Sequence, residues 1–129
     1  MKTKVLIVDD QKGVCRLLQE LFTMEGYEVA VAGDGREALE KFEPFEPDIV
    51  LMDMKMPHMN GLEAAQEMLK INPKVPIIMM TAYGEIEMVH KALKIGVRRH
   101  ITKPFDILDL RDLVRDILAA ENSGSGESA

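Results

Sequence analysis

Residues 4–13 read KVLIVDDQKG. Val5, Leu6, Ile7 and Val8 form an unbroken apolar run, the pattern of a strand covered on both faces, and the run stops on two adjacent carboxylates, Asp9 and Asp10. Two like charges side by side repel each other and resist desolvation. A fold that keeps them ionised therefore supplies a cation or leaves them in water.

The run that precedes these acids has four counterparts. Short apolar stretches alternate with helical patterns, predicting strands near 4–8, 28–32, 49–53, 77–81 and 98–102 and helices near 13–25, 35–42, 61–71, 85–95 and 107–120. Asp34 with Glu37, Asn60 with Glu63 and Asp106 with Asp109 each set a capping side chain three residues before an acid suited to a first helical turn. Gly26 and Gly96 stand where the first and fourth helices should stop. Strands separated by helices need crossovers of about this length, so the pattern predicts a (βα)5 doubly wound parallel sheet with helices on both faces. Residues 1–120 are expected to form one domain and residues 121–129, ENSGSGESA, a flexible tail.

Composition narrows the function. A chain of 129 residues fits one domain, which by the usual scaling buries roughly 65–70% of its unfolded surface. The net charge of −6 disfavours direct binding to nucleic acid or an anionic membrane, leaving proteins and cations as partners. Cys15 is the sole cysteine, which excludes an internal disulfide and makes a packed helix thiol the default. No apolar run approaches a membrane span, and the chain reaches its first strand without the apolar segment of a signal peptide, so a cytoplasmic location is expected.

In an open α/β sheet, ligands gather beyond the carboxyl ends of the strands. The first strand ends at Asp9 and Asp10, the third at Asp53 in DIVLMDMKMPHMNG, the fourth at Thr81 in PIIMMTAYG and the fifth at Lys103 in RRHITKPF. Three carboxylates in one pocket suit a hard divalent cation, and so few carboxylates favour Mg²⁺ over a Ca²⁺ cage. The Thr81 hydroxyl and Lys103 ammonium suit phosphoryl oxygens instead. No Gly-rich loop is present to cradle a nucleotide, so a phosphoryl group is expected on a side chain, with Asp53 the central carboxylate.

The set VDD, MDMKMPHMNG, MTAYG and TKPF, in that order and spanning the folded chain, resembles the receiver domain of two-component response regulators. IVDDQ, MDMK, IMMTAYGE and KPFDI are especially similar to the stand-alone receiver of the Bacillus-type sporulation phosphorelay. The resemblance implies a flavodoxin-like fold with strand order 2-1-3-4-5. Residue by residue, it implies Asp53 as phosphoacceptor, Asp10 as a Mg²⁺ ligand with Asp9 acting largely through water, and the main-chain carbonyl of Lys55 as a further ligand; Mn²⁺ is a substitute ion. It also implies Thr81 as switch hydroxyl, Lys103 as phosphoryl-binding lysine and a cis Lys103-Pro104 peptide bond. His100 stands where the family often carries Tyr or Phe as a rotamer switch.

The activity so implied is phosphoryl transfer from the phosphohistidine of a sensor histidine kinase to Asp53, then onward to a histidine phosphotransferase, in a relay controlling sporulation initiation. An aspartyl-phosphate phosphatase is a further implied partner, and a chemotaxis-like binding switch is the alternative. A haloacid-dehalogenase-like phosphatase would need an acid two places after its nucleophile, where this chain has Lys55; a flavin binder would not place acids at the flavin phosphate. Partner docking is expected on Gln11, Val14, Leu17 and Leu18 of the first helix, together with Tyr83, Pro104, Phe105, Ile107 and Leu108. The apolar positions of that helix span about 140°, wider than a core-facing stripe needs.

Overall fold

The computed structural model describes residues 2–56, 59–82 and 84–127, with backbone only for 122–127. Five strands, β1 (Lys4–Val8), β2 (Glu28–Ala32), β3 (Ile49–Asp53), β4 (Ile77–Thr81) and β5 (Arg99–Thr102), alternate with α1 (Lys12–Met24), α2 (Gly35–Phe45), α3 (Gly61–Ile71), α4 (Ile86–Ile95) and α5 (Ile107–Glu127). The sheet is wholly parallel, in the order β2-β1-β3-β4-β5.

Period-two alternation sorts the central strands onto two cores. Leu6, Val8, Val50, Met52, Ile77 and Met79 pack on one face with Ala38, Phe42, Ala64, Ala65, Met68 and Ala92 of α2, α3 and α4. Val5, Ile7, Ile49, Leu51, Ile78 and Met80 pack on the other with Leu18, Phe22, Leu110, Val114 and Ile117 of α1 and α5. Helices on both faces leave β1, β3 and β4 almost wholly covered, which explains why their sequences are continuous apolar runs.

Caps and stops largely follow the local chemistry. Asp34 accepts from the Glu37 N–H at 2.8 Å, and Asn60 with Glu63 forms a reciprocal capping box. Asp106 instead accepts from Leu108 N–H at 2.8 Å, one residue before the expected Asp109. Gly26 and Gly96 take φ of 93° and 115°, in the left-handed region where a side chain would be strained.

Two helices outrun their predicted ends. α2 continues past Pro44 to Phe45, because a proline in the last turn removes only its own N–H, while Glu46 N–H still reaches Phe42 O at 3.0 Å. α5 does not stop at Ala120: it runs to Glu127, through most of the segment expected as a tail. A helix already nucleated extends at low cost, and Arg98 pairs with Glu121 just past the predicted boundary.

On α1 the wide apolar stripe divides. Leu18 and Phe22 are fully buried, Val14, Cys15 and Leu21 are half-buried, and Leu17 is 48% exposed. Leu18, expected on the docking surface, is a core residue, because its position on the wheel turns it toward the sheet, into the buried cluster that also holds Val5, Ile7 and Phe22. Leu18→Ala should therefore cost about 2–5 kcal/mol in urea unfolding, whereas Leu17→Ala should cost under about 1 kcal/mol.

Candidate functional site

Strand register assembles the site. Val8 lies opposite Met52, so the next residues, Asp9 and Asp53, leave the sheet side by side. Asp53 pairs with Met80 and Thr81 with Thr102, which brings Thr81 and Lys103 to the same edge. The carboxylates of Asp9, Asp10 and Asp53 each present an oxygen within 4.8 Å of the others.

The two acids of the opening motif have different surroundings. Asp9 is 1% exposed: one oxygen accepts the Gln11 N–H at 2.9 Å and the other accepts from Lys103 Nζ at 3.0 Å. Asp10 is exposed to water. Lys103 Nζ also lies 3.3 Å from Asp53, so one ammonium bridges the ends of β1 and β3. The Cys15 thiol donates to the Asp9 carbonyl at 3.1 Å, and burial together with the Asp9 charge pushes it up to about 11, which keeps it a neutral packing group.

Asp53 is the strained member. Burial, and then the charge of Asp9, raise its carboxyl from 3.8 to about 6 despite the opposing pull of Lys103. Burial works against the Lys103 charge, but the hydrogen bond to Asp9 and the charges of Asp53 and Asp9 outweigh it and hold the ammonium above its ordinary value. The β3–α3 loop closes by Gly61 N–H to Met54 O at 2.9 Å, and a Cβ on Gly61 would sit 2.2 Å from the Asp53 carbonyl oxygen. A glycine is required there for the loop to pass so close to the Asp53 main chain.

Thr81 is buried and its hydroxyl donates to Ile101 O at 3.4 Å. Lys103-Pro104 is cis, as the resemblance implied. His100 is exposed and shares a cleft of about 430 Å³ with Thr81, Ile86, Val89 and Thr102. The Lys55 side chain is largely solvated, 3.7 Å from Glu85. Among the expected docking residues, Gln11, Pro104 and Leu108 are exposed and Val14, Phe105 and Ile107 half-buried, while Tyr83 lies outside the described residues. Glu85, which the sequence pattern makes merely the first residue of the fourth helix, instead accepts the Ala82 N–H at 2.6 Å. Its only sequence signal is an acid three residues after that N–H.

A buried acid pocket at the carboxyl edge of a five-stranded 2-1-3-4-5 sheet, spanned by a lysine after the last strand, defines the class: the chain belongs to the response regulator receiver domain family, whose model matches residues 5–115. It is a receiver module of two-component and phosphorelay signalling. It is 42% identical over 123 residues to sporulation initiation phosphotransferase F of Bacillus subtilis, covering 95% of this chain and 99% of that one. It is 47% identical over 106 residues to the chemotaxis protein CheY of Thermotoga maritima, covering 81% of this chain and 88% of that one. A CheY-like receiver domain protein from Methanospirillum hungatei superposes with a TM-score of 0.92 at 30% identity, covering 96% and 99% of the two chains. Receiver domains bind Mg²⁺ at an acidic pocket and interact with histidine kinases and phosphotransferases; the three hard oxygen donors of Asp9, Asp10 and Asp53 fit such an ion. Among the described residues, no helix is long and apolar enough to cross a membrane.

The raised Asp53 carboxyl fixes a pH dependence. Its folded value near 6 exceeds the unfolded value near 3.8, so its favourable contribution is complete below about pH 4 and lost as pH rises through 6. Without divalent metal, Asp53→Asn should match the parent in melting temperature near pH 4 and exceed it above pH 7, by about 1–2 kcal/mol in stability. A constant difference across that range would remove the assigned cause.

Proposed function

We propose that this chain is a phosphorelay intermediate that takes a phosphoryl group from a phosphohistidine onto Asp53 and passes it to a histidine phosphotransferase. The observation carrying this reading is the single Lys103 ammonium, 3.0 Å from Asp9 and 3.3 Å from Asp53 at the edge where three carboxylates meet. Such a centre suits a phosphoryl dianion attached to one carboxylate, with a cation on either side of it.

An Asp53 oxygen attacks phosphorus in line; the oxygen–phosphorus bond forms as the phosphorus–nitrogen bond breaks, and the imidazole leaves with the electron pair. Lys103 gives up its bond to Asp53 and pairs with a phosphoryl oxygen. Asp9, Asp10, Asp53 and the Lys55 carbonyl are the proposed Mg²⁺ holders, with Mn²⁺ as substitute, and the ion when bound neutralises phosphoryl charge. The Thr81 hydroxyl, now held by Ile101 O, is the group that turns to the new phosphoryl, with His100 beside it as the companion switch position.

Similarity over nearly the full length of both chains to a phosphotransferase named for sporulation initiation supports the relay and a role in starting sporulation, while the 47% identity to a chemotaxis protein over a shorter stretch keeps a phosphorylation-dependent binding switch as the second reading. Exposed Leu17 and Leu108, at 48% and 45%, lie on helices that touch each other on one face of the sheet. With Gln11, Val14, Pro104, Phe105 and Ile107 they form the proposed docking surface for the histidine-bearing helices of kinases and phosphotransferases, and for an aspartyl-phosphate phosphatase.

Labelled phosphohistidine kinase should transfer phosphoryl to the parent and none to Asp53→Asn, and the phosphorylated parent should pass it on to a histidine phosphotransferase. Leu108→Ala should slow both transfers about tenfold while changing stability by under about 1 kcal/mol. Label retained by Asp53→Asn, or no onward transfer, would overturn the reading.

A further inference from the structure

Glu85 occupies an unusual place at the lip of the site. It precedes α4 at the N-cap position, yet its carboxylate makes no capping bond to its own helix. Its side chain is only 9% exposed, although Gly84 and Ile86 on either side are exposed. One oxygen accepts the Ala82 N–H at 2.6 Å; the other lies 3.7 Å from Lys55 Nζ. Its own N–H reaches back to Ala82 O at 3.4 Å, closing the turn.

Ala82 directly follows Thr81, and Lys55 stands two residues after Asp53. One carboxylate thus ties the loop after β4 to the loop after β3, by occupying a main-chain donor and an ammonium. Both are groups that attract anions, and both belong to segments leaving the strands that carry Thr81 and Asp53.

We infer that Glu85 is a positioning residue that acts through Lys55: it keeps the anion-attracting groups of both loops satisfied, so that a phosphoryl donor approaching Asp53 has to displace it. The inference rests on Asp53 as phosphoacceptor. Glu85 takes no part in forming or breaking a bond. It slows entry of the phosphoryl group rather than the bond-making step, so its effect belongs in the dependence of rate on donor concentration. Because the tie is an ion pair to a solvated lysine, the opposition weakens in salt.

Phosphoramidate is a suitable small donor: its phosphorus–nitrogen bond breaks, the protonated nitrogen leaves as ammonia, and the phosphoryl group joins Asp53. With saturating Mg²⁺, initial rates would be followed against phosphoramidate concentration for the parent, Glu85→Gln, Glu85→Ala, Lys55→Ala and Lys55→Ala/Glu85→Gln. Glu85→Gln keeps an acceptor for the Ala82 N–H and removes the charge. It should raise kcat/KM about 3- to 10-fold in low salt, with kcat changed less than about twofold and the gain shrinking in 0.5 M salt. In the Lys55→Ala background the same substitution should gain less than about twofold. Without donor or metal, hydrogen exchange at the Ala82 amide should quicken about tenfold or more in Glu85→Ala and little in Glu85→Gln. Melting curves identify a variant that fails to fold, in which case Glu85→Gln alone decides. A parent that takes no label at Asp53 refutes the functional reading and this inference together. A parent that labels normally, with Glu85→Gln unchanged or its full gain surviving the loss of Lys55, overturns the role of Glu85 alone.

Discussion

The Lys103 ammonium is the interaction on which the site depends. It comes from the residue after β5, at one margin of the sheet, and reaches the carboxylates after β1 and β3 near the middle. Without it, two largely buried carboxylates would face each other with no positive charge from the protein, an arrangement that desolvation and repulsion both oppose. The bridge is satisfied only if all three strands end at the same level, so the register of the whole sheet and the chemistry of its edge are one constraint. The main chain reinforces it, since Lys103 N–H donates to Thr81 O at 2.7 Å and Asp9 N–H to Ala32 O at 3.1 Å.

Burial explains why polar chemistry is confined to that edge. The three central strands are covered on both faces, and a charge placed within them would have no partner. At the carboxyl ends of the strands the helices no longer cover the chain fully, and here Asp9 and Asp53 are shielded while Asp10 remains in water. The two adjacent acids of the opening motif are reconciled in this way: alternation sends one inward to Lys103 and leaves the other outside, so they do not compete for one desolvated position. Methionine serves the packing, with Met52, Met54, Met68, Met79 and Met80 filling the interior, while Met24 stands 84% exposed.

How much of this could be read beforehand varied with the range of the interaction. The bounds of β1 to β4 agree with the predicted ones, and for β1, β3 and β4 the reason is that a strand buried on both faces ends where its polar residues begin. Asp34 and Asn60 announced their helices because a capping bond spans only three residues. Strand order came from family resemblance, since periodicity carries no information about which strands are neighbours. The end of α5 was obscured by composition, as Gly and Ser lower helix propensity without breaking a helix already formed. Leu17 and Leu18 both fall within the wide apolar stripe of α1, and only the position of the sheet assigned one to solvent and the other to the core. Glu85 was hidden for a related reason: the nearness of Lys55 follows from the β3–β4 pairing, not from any local pattern.

The edge is also where the fold gives up stability. Asp53 is held where its charged form is disfavoured, with burial and Asp9 outweighing the attraction of Lys103. In the absence of a cation a neutral side chain would suit this pocket better, so the carboxylate costs the fold stability. That tension has a chemical use. A group whose charge is poorly satisfied gains most when a divalent cation arrives, and a lysine shared between two carboxylates can transfer its bond from one of them to an incoming phosphoryl oxygen while still anchored to the other. In the proposed transfer, Asp9, more deeply buried and already holding the Gln11 N–H, would keep Lys103 in place. Of the two carboxylates that share Lys103, Asp53 is therefore the one held less closely, at 3.3 Å against 3.0 Å for Asp9.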